Sequence, residues 1–170
     1  EDGYEKLRNA HVLVIGVGGV GSWLSETLCR SGVGELSLID SDIIESSNTN
    51  RQLHTSVSND GLYKVDVLAK RFLDINPEIK LHAIKIRLTP DNISNILVDC
   101  PQYVAEAIDD IHAKAYTDHF LYKKKKTFIV SGGAGGRSDP RLLDIADISF
   151  SKGNSLITRL RTILRKEYGY

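Results

Sequence analysis

Three charged side chains are of the types that stabilise a phosphate group during its transfer. Arg51 lies in the stretch NTNRQ, Lys64 follows thirteen residues later, and Asp109 comes directly after an apolar run. A guanidinium and an ammonium neutralise phosphate oxygens, and a carboxylate holds the Mg²⁺ that accompanies ATP. Taken singly, each residue has an ordinary explanation, as a solvated surface cation or a helix cap. Their combination predicts nucleotidyl transfer from ATP, provided that the fold brings them to one crevice.

A glycine-rich turn is the second feature with chemical meaning. GVGGVG follows the apolar run HVLVI and opens a segment with helical spacing, so Gly16, Gly18 and Gly21 fall in a strand, turn and helix. Such glycines permit a positive φ, close approach of the backbone to a phosphate, and tight packing of the helix. Asp40 ends the next strand, where a nucleotide site needs an acceptor for the ribose hydroxyls. A dinucleotide-dependent dehydrogenase and a purely structural turn are the alternatives.

The elements that must position these residues alternate between strand and helix. The pattern predicts five short strands, at 11–15, 35–39, 81–86, 103–108 and 127–130. It also predicts helices that begin at Gly21, extend over 65–73, begin again as a short helix at Thr89, and extend over 113–122. Continuous apolar strands that alternate with helices are typical of a parallel sheet covered on both faces. The fold class is therefore α/β, a Rossmann-like, doubly wound and mainly parallel sheet.

The remaining segments are predicted from composition and alternation. Residues 42–58 are polar and irregular, which predicts a long functional loop at the carboxyl edge of the sheet. Alternation over 142–150 predicts an edge strand, and the last 20 residues read as an exposed basic helix. Its phosphate-contact candidates are Arg159, Arg161, Arg165 and Lys166.

Composition limits the class of protein. The 170 residues carry 22 basic and 22 acidic side chains, so bulk charge predicts neither a nucleic-acid nor a membrane partner. There is no apolar run of the ~18 residues that a membrane span requires. Two cysteines without a CxxC pair fit a reducing, cytoplasmic setting. We expect residues 1–170 to form a single domain and, because the sequence contains no methionine, to be a fragment of a longer chain.

The sequence resembles the ubiquitin-activating-enzyme-like ThiF/MoeB/HesA superfamily of ATP-dependent adenylating enzymes. The matching pieces are GVGGVG, LIDSD, NTNRQ, GLYKVDVLAKRFLDINPE, AIDD and SGGAGG, which cover most of residues 10–136. The resemblance implies that Asp109 is the magnesium-linked carboxylate and that Arg51 and Lys64 act in adenylation. The expected nucleotide-binding residues are Gly16, Gly18, Gly19, Gly21, Asp40, Asp42, Asn48, Asn50, Arg51, Gln52, Lys64, Asp109 and Asp110.

Within the superfamily, NTNRQLH, LTPDNI and SGGAGGRSDPRLL with the basic LITRLRTILRK are similar to the tRNA-modifying dehydratases. Those enzymes adenylate the carboxylate of threonylcarbamoyladenosine beside the anticodon and cyclise it with loss of water. The resemblance implies a tRNA substrate, a homodimer and a Na⁺ or K⁺ site near Gly132, Gly133 and Gly135. A sulfur-relay partner protein is a further expectation, although no cysteine follows Cys100.

Three functions thus remain open on the sequence. The first is the ATP-dependent tRNA dehydratase. The second is an adenylyltransferase that activates the C-terminus of a ubiquitin-like sulfur carrier. The third, from a different class, is a nucleotide-binding scaffold without turnover.

Overall fold

A five-stranded sheet in which every strand is parallel forms the centre of the molecule. The structure is a computed structural model and describes residues 2–170. The strands are β1 (His11–Ile15), β2 (Glu35–Ile39), β3 (Lys80–Ile84), β4 (Tyr103–Glu106) and β5 (Thr127–Val130). Their order across the sheet is β3-β2-β1-β4-β5. This arrangement confirms the predicted α/β class and all five predicted strands, with β3 and β4 each ending two residues early.

Helices cover both faces because the apolar side chains of the strands point alternately to the two sides. Val14 packs with Leu36, Leu38 and the helix residue Phe72 on one face. Leu13 and Ile15 pack on the opposite face with residues from later in the chain, such as Leu121. A sheet that is apolar on both faces must be buried on both, which gives the doubly wound architecture.

Six α-helices occur in the described part of the chain. They are α1 (Asp2–Arg8), α2 (Gly21–Arg30), α3 (Lys64–Ile75), α4 (Ile93–Ile96), α5 (Ile111–Lys123) and α6 (Ser155–Tyr168). Among these helices, only α1 was not predicted from the sequence. None of its residues is buried, and it lacks the apolar stripe from which a helix is predicted. Within residues 2–170, no helix is both long enough and apolar enough to traverse a bilayer.

The chain reverses its direction across the sheet between β1 and β4. From β1 it proceeds to β2 and β3 on one side, then returns to place β4 against the other side of β1. The loops after β1 and β4 therefore diverge to opposite faces and leave a crevice between them, where open α/β sheets bind ligands.

Two sequence predictions about the last third of the chain are wrong. Residues 142–150 form no strand: Pro140–Leu142 is a short 3₁₀ helix capped by Asp139, and the following residues are irregular. The apolar alternation there has no neighbouring strand to pair with, and Leu142 and Leu143 are exposed. The final helix, α6, is amphipathic rather than exposed, since Leu160 and Leu164 are buried against Ala115 of α5.

A buried cluster of charged side chains joins β4 to α5. Glu106 of β4 forms an ion pair with Lys114, and both side chains are fully buried. Asp118, one turn beyond Lys114, is 4% exposed, and neither of its carboxylate oxygens has a hydrogen-bond partner among the described residues. Burial raises the pKa of Asp118 well above its usual value, and the nearby Glu106 carboxylate raises this pKa further, against an opposing effect of Lys114.

We predict that Asp118 makes the protein less stable as the pH rises. Its folded-state pKa lies above its unfolded value of about 3.9, so above that pH the native state retains a proton that the unfolded chain has released. The contribution of Asp118 to the unfolding free energy is therefore fully present below pH ~4 and falls as the pH rises toward the folded-state pKa of this residue. The variant Asp118→Asn cannot ionise and should exceed wild type in unfolding free energy by about 1–3 kcal/mol at pH 8.

Urea unfolding at pH 4 to 8 measures this difference, with the exposed Asp74→Asn as the control that should follow wild type. A difference between Asp118→Asn and wild type that does not grow with pH would contradict the assignment.

Candidate active site

The glycine-rich turn after β1 divides its roles among different glycines. Gly16 has a φ of +83°, and a Cβ there would meet the Ala107 carbonyl at 2.9 Å. A Cβ on Gly21 would lie 1.8 Å from the Gly16 carbonyl oxygen, so only glycine lets α2 begin this close to the turn. Gly18 differs, because its nearest neighbour would be the Gln52 side chain at 3.8 Å. Packing within the protein therefore does not require glycine at position 18, and its lack of a side chain leaves open space beside the turn.

A cleft of about 880 Å³ opens at the carboxyl ends of β1, β2 and β4. Its walls contain the glycine-rich turn, the loops after β2 and β4, and the second glycine-rich turn after β5. The expected site residues that line it are Gly16, Gly18, Gly19, Asp40, Asp42, Asn48, Arg51, Gln52, Lys64, Asp109, Asp110, Gly132, Gly133 and Gly135. Two expected nucleotide-binding residues lie elsewhere: Gly21 packs α2 against the turn, and Asn50 is exposed and accepts a hydrogen bond from Arg51.

Asp40 connects the first turn to the loop after β2. One carboxylate oxygen accepts the Val17 N–H at 2.8 Å, and the other accepts the Asp42 N–H at 2.8 Å. Because each oxygen of an ionised carboxylate has a second lone pair, Asp40 can still accept hydrogen bonds from a ribose. The same side chain thus fixes two walls of the cleft and offers an acceptor to its interior.

Lys64 is a buried cation at the start of α3. Its ammonium donates to Asp42 Oδ2 at 2.7 Å, and its side chain is only 6% exposed. The backbone brings the two residues together: the Lys64 N–H donates to the Asp42 carbonyl, and Ile43 forms an antiparallel bridge with Tyr63. An ammonium has three donors, so two remain for phosphate oxygens in the cleft that Lys64 lines.

Residues outside the NTNRQ segment hold this segment in place. Trp23 of α2 donates its indole N–H to the Arg51 carbonyl at 3.0 Å. Gln52 is buried, and its side-chain carbonyl accepts the Nε2–H of His54 at 3.1 Å. Burial and, to a lesser extent, the nearby charge of Lys64 together lower the pKa of His54 to about 4, so this imidazole is neutral. His54 therefore positions Gln52, a role that its type alone does not indicate.

The two acidic residues after β4 are used differently. Asp110 caps α5, accepting from the His112 and Ala113 N–H groups, and pairs with Arg87 at 3.2 Å. The capping bonds, with Arg87 adding to them, hold the pKa of Asp110 below its usual value. Asp109 is exposed in the cleft, and no described residue forms a hydrogen bond or ion pair with its carboxylate. An unpaired carboxylate facing the cleft fits a Mg²⁺ ligand.

The second glycine-rich turn is organised by Asn154, which caps α6. A Cβ on Gly132 would meet the Asn154 amide nitrogen at 2.5 Å, which explains the glycine. The Gly133 carbonyl already accepts from Asn154 at 3.0 Å and from Arg137 at 3.0 Å. Both of its lone pairs are occupied, so the predicted Na⁺ or K⁺ site gains no support from this carbonyl.

Arg87 also lines the cleft and was not found from the sequence. Arg87 follows shortly after the end of β3. Residues that follow parallel strands meet at one edge of the sheet, so the reasoning that placed Asp40 and Asp109 there applies to Arg87 as well. Arg161, proposed for phosphate contact, instead donates to the carbonyls of Ile148, Ser149 and Ser151. It holds the segment before α6 in place, whereas Arg159, Arg165 and Lys166 are exposed on α6.

The parallel sheet, with a cleft at the carboxyl ends of its strands, defines the class as a Rossmann-like α/β domain. Residues 1–153 match the model of the ThiF family, and the chain belongs to that family.

Two relatives and one solved structure cover nearly all of the chain. The sequence is 42% identical over 169 residues to a tRNA threonylcarbamoyladenosine dehydratase of Haemophilus influenzae, covering 99% of this chain and 65% of the relative. It is 40% identical over 167 residues to the Bacillus subtilis enzyme of that name, covering 98% and 66%. The chain thus spans slightly less than two thirds of these relatives.

The fold is similar to the crystal structure of Escherichia coli tRNA N6-threonylcarbamoyladenosine dehydratase, TcdA, in complex with ATP. The TM-score is 0.97 at 37% identity, covering 99% of this chain and 70% of that one. This similarity confirms the resemblance that the motifs indicated and the fold class that the strand pattern predicted.

We predict opposite consequences for two glycines of the first turn. Gly18→Val should fold normally and weaken ATP binding at least about tenfold, because only the phosphate approach is crowded. Gly21→Ala should lose at least about 1–3 kcal/mol of stability, since its methyl group clashes with the Gly16 carbonyl. Thermal unfolding and ATP titration separate the two effects. Wild-type ATP affinity in Gly18→Val would show that the turn has no phosphate role.

Proposed function

We propose that the protein is an ATP-dependent dehydratase that adenylates the carboxylate of threonylcarbamoyladenosine in tRNA and cyclises it with loss of water. The observation that carries the proposal is one cleft in which Arg51, Lys64 and the unpaired Asp109 surround the glycine-rich turn. The near-complete similarity to relatives named for that reaction supports the choice of substrate.

The chemistry explains why ATP is needed. A free carboxylate is a poor electrophile because oxide would have to leave from it. In the proposed first step a carboxylate oxygen attacks the α-phosphorus and pyrophosphate leaves. A neighbouring nucleophilic atom of the same side chain then attacks the carbonyl carbon, and AMP leaves with that oxygen. The second step is intramolecular, which gives it a high effective concentration.

The residues of the cleft have separate tasks in this scheme. The N-terminus of α2, behind Gly18 and Gly19, offers backbone N–H donors to phosphate oxygens. Lys64, buried and held by Asp42, provides a fixed positive charge that needs no reorganisation during the reaction. Arg51, which is exposed, is suited to bind the α-phosphate or the substrate carboxylate through its guanidinium.

Asp109 is the residue proposed to hold Mg²⁺. When bound, the ion would neutralise charge on the triphosphate. The carboxylate fits because it faces the cleft without a competing cation of its own, unlike its neighbour Asp110, which is paired with Arg87.

Four accompanying features also remain proposals. We infer a homodimer, a sulfur-relay partner protein and a monovalent cation near Gly132, Gly133 and Gly135 from the superfamily resemblance, and a cytoplasmic setting from the cysteine content. Two free, buried cysteines, Cys29 and Cys100, fit a reducing compartment. The exposed cations of α6, Arg159, Arg165 and Lys166, are the proposed contacts to tRNA phosphates.

The function is tested by mass spectrometry of nucleosides from tRNA incubated with the protein, ATP and Mg²⁺. Threonylcarbamoyladenosine should be replaced by a form lighter by one water. Asp109→Asn should slow this conversion by about a hundredfold or more, since a metal contributes several kcal/mol to such transition states. Asp110→Asn is the matched control, because asparagine also caps helices, and it should lose less than about tenfold.

Two other outcomes would decide against the dehydratase. An unchanged nucleoside together with adenylation of a ubiquitin-like sulfur carrier would favour the sulfur-carrier adenylyltransferase. No pyrophosphate exchange with any carboxylate substrate would favour a nucleotide-binding scaffold.

A further inference from the structure

Two histidines and a glutamate meet at the amino-terminal end of the sheet, opposite the cleft. His11 and Glu35 are the first residues of β1 and β2 and lie in register, and His82 of β3 lies in register with Ser37. Because alternate residues of a strand share a face, all three side chains project from the same side of three adjacent strands. One potential ligand atom from each side chain lies within 4.8 Å of those of the other two.

The distances within the cluster are close to those between ligands of one metal ion. Glu35 Oε1 lies 2.8 Å from His82 Nε2 and 3.5 Å from His11 Nδ1. Bonds of about 2.0–2.2 Å to a tetrahedral Zn²⁺ place neighbouring ligand atoms about 3.3–3.5 Å apart. The side chains are 29–50% exposed, so solvent and ions can reach them.

Ser37 supports the orientation that a ligand needs. Its buried hydroxyl lies 2.8 Å from His11 Nε2. Metal-bound histidines usually form a hydrogen bond through the ring nitrogen that is not the ligand, and this bond sets the tautomer. In the tautomer that donates Nε2–H to Ser37, the lone pair of His11 Nδ1 faces the Glu35 carboxylate, and a metal ion can bridge these two acceptors.

From this geometry we propose that His11, Glu35 and His82 form a binding site for one divalent transition-metal ion of the Zn²⁺ class. Two imidazoles and one carboxylate suit zinc, nickel or copper, whereas Mg²⁺ requires oxygen ligands. His11 and Glu35 are four residue steps from the cleft ends of β1 and β2, about 13 Å at ~3.3 Å per residue. The ion would therefore join β1, β2 and β3 without taking part in the nucleotide chemistry.

Zn²⁺ titration of chelator-treated protein tests the site. Wild type should bind one equivalent, with a rise in Tm of about 5 °C when Zn²⁺ is in hundredfold excess over its Kd. Co²⁺ should bind with visible d–d absorption, and millimolar Mg²⁺ should not displace either ion. Because metal binding is measured directly by dialysis and atomic absorption, activity plays no part in the test.

Two substitutions locate the ligands. His82→Asn and Glu35→Gln each remove one ligand from a solvent-accessible position and should lower Zn²⁺ affinity at least about tenfold, which reduces the Tm shift at the same Zn²⁺ concentration by about half or more. His112→Asn removes an exposed histidine at the opposite end of the molecule and should behave as wild type. Retention of wild-type Zn²⁺ affinity by either ligand variant, or less than one equivalent bound to wild type, would overturn the proposal.

Discussion

The parallel pairing of β4 with β1 is the constraint on which the rest of the structure depends. It reverses the order of the strands and brings the loops at Gly16 and Asp109 to adjacent positions on opposite sides of one crevice. The Ala107 N–H donates to the Ile15 carbonyl at 2.7 Å, so this pairing continues one residue past β4 and into the loop. Gly16 is then so close to Ala107 that any side chain would collide with it. The glycine-rich turn and the acidic loop are thus one packed unit.

Charge in the crevice is arranged by the same packing. Two of its carboxylates have structural duties: Asp42 neutralises the buried Lys64, and Asp110 caps α5 beside Arg87. Asp40 has a double role, since it connects two loops and keeps lone pairs free. Asp109 has neither a cation nor a donor among the described residues that would compete with a metal. This difference separates Asp109, the proposed metal ligand, from Asp110, the helix cap, and it depends on contacts that only the folded chain makes.

The strands of the sheet could be predicted from the sequence because the signals lie within each segment. β1 and β2, for example, are short apolar runs that glycine or aspartate bounds. That Asp40 and Asp109 line one cleft also followed from one rule, that parallel strands end at a common edge. What failed depended on non-local contacts. Residues 142–150 alternate like a strand but have no neighbour to pair with, and Arg161 is basic but holds three backbone carbonyls. The contact of His54 with Gln52 and the cluster of His11, Glu35 and His82 join residues that carry no shared local pattern.

We propose that this crevice activates a carboxylate at the α-phosphate of ATP, and isotope transfer measures this activation directly. Threonylcarbamoyladenosine labelled with ¹⁸O in both carboxylate oxygens is incubated, within tRNA, with the protein, ATP and Mg²⁺. We expect one labelled oxygen to appear in the phosphate of AMP, because adenylation joins that oxygen to the α-phosphorus. Label in inorganic phosphate together with ADP would instead show attack at the γ-phosphate and would rule out adenylation.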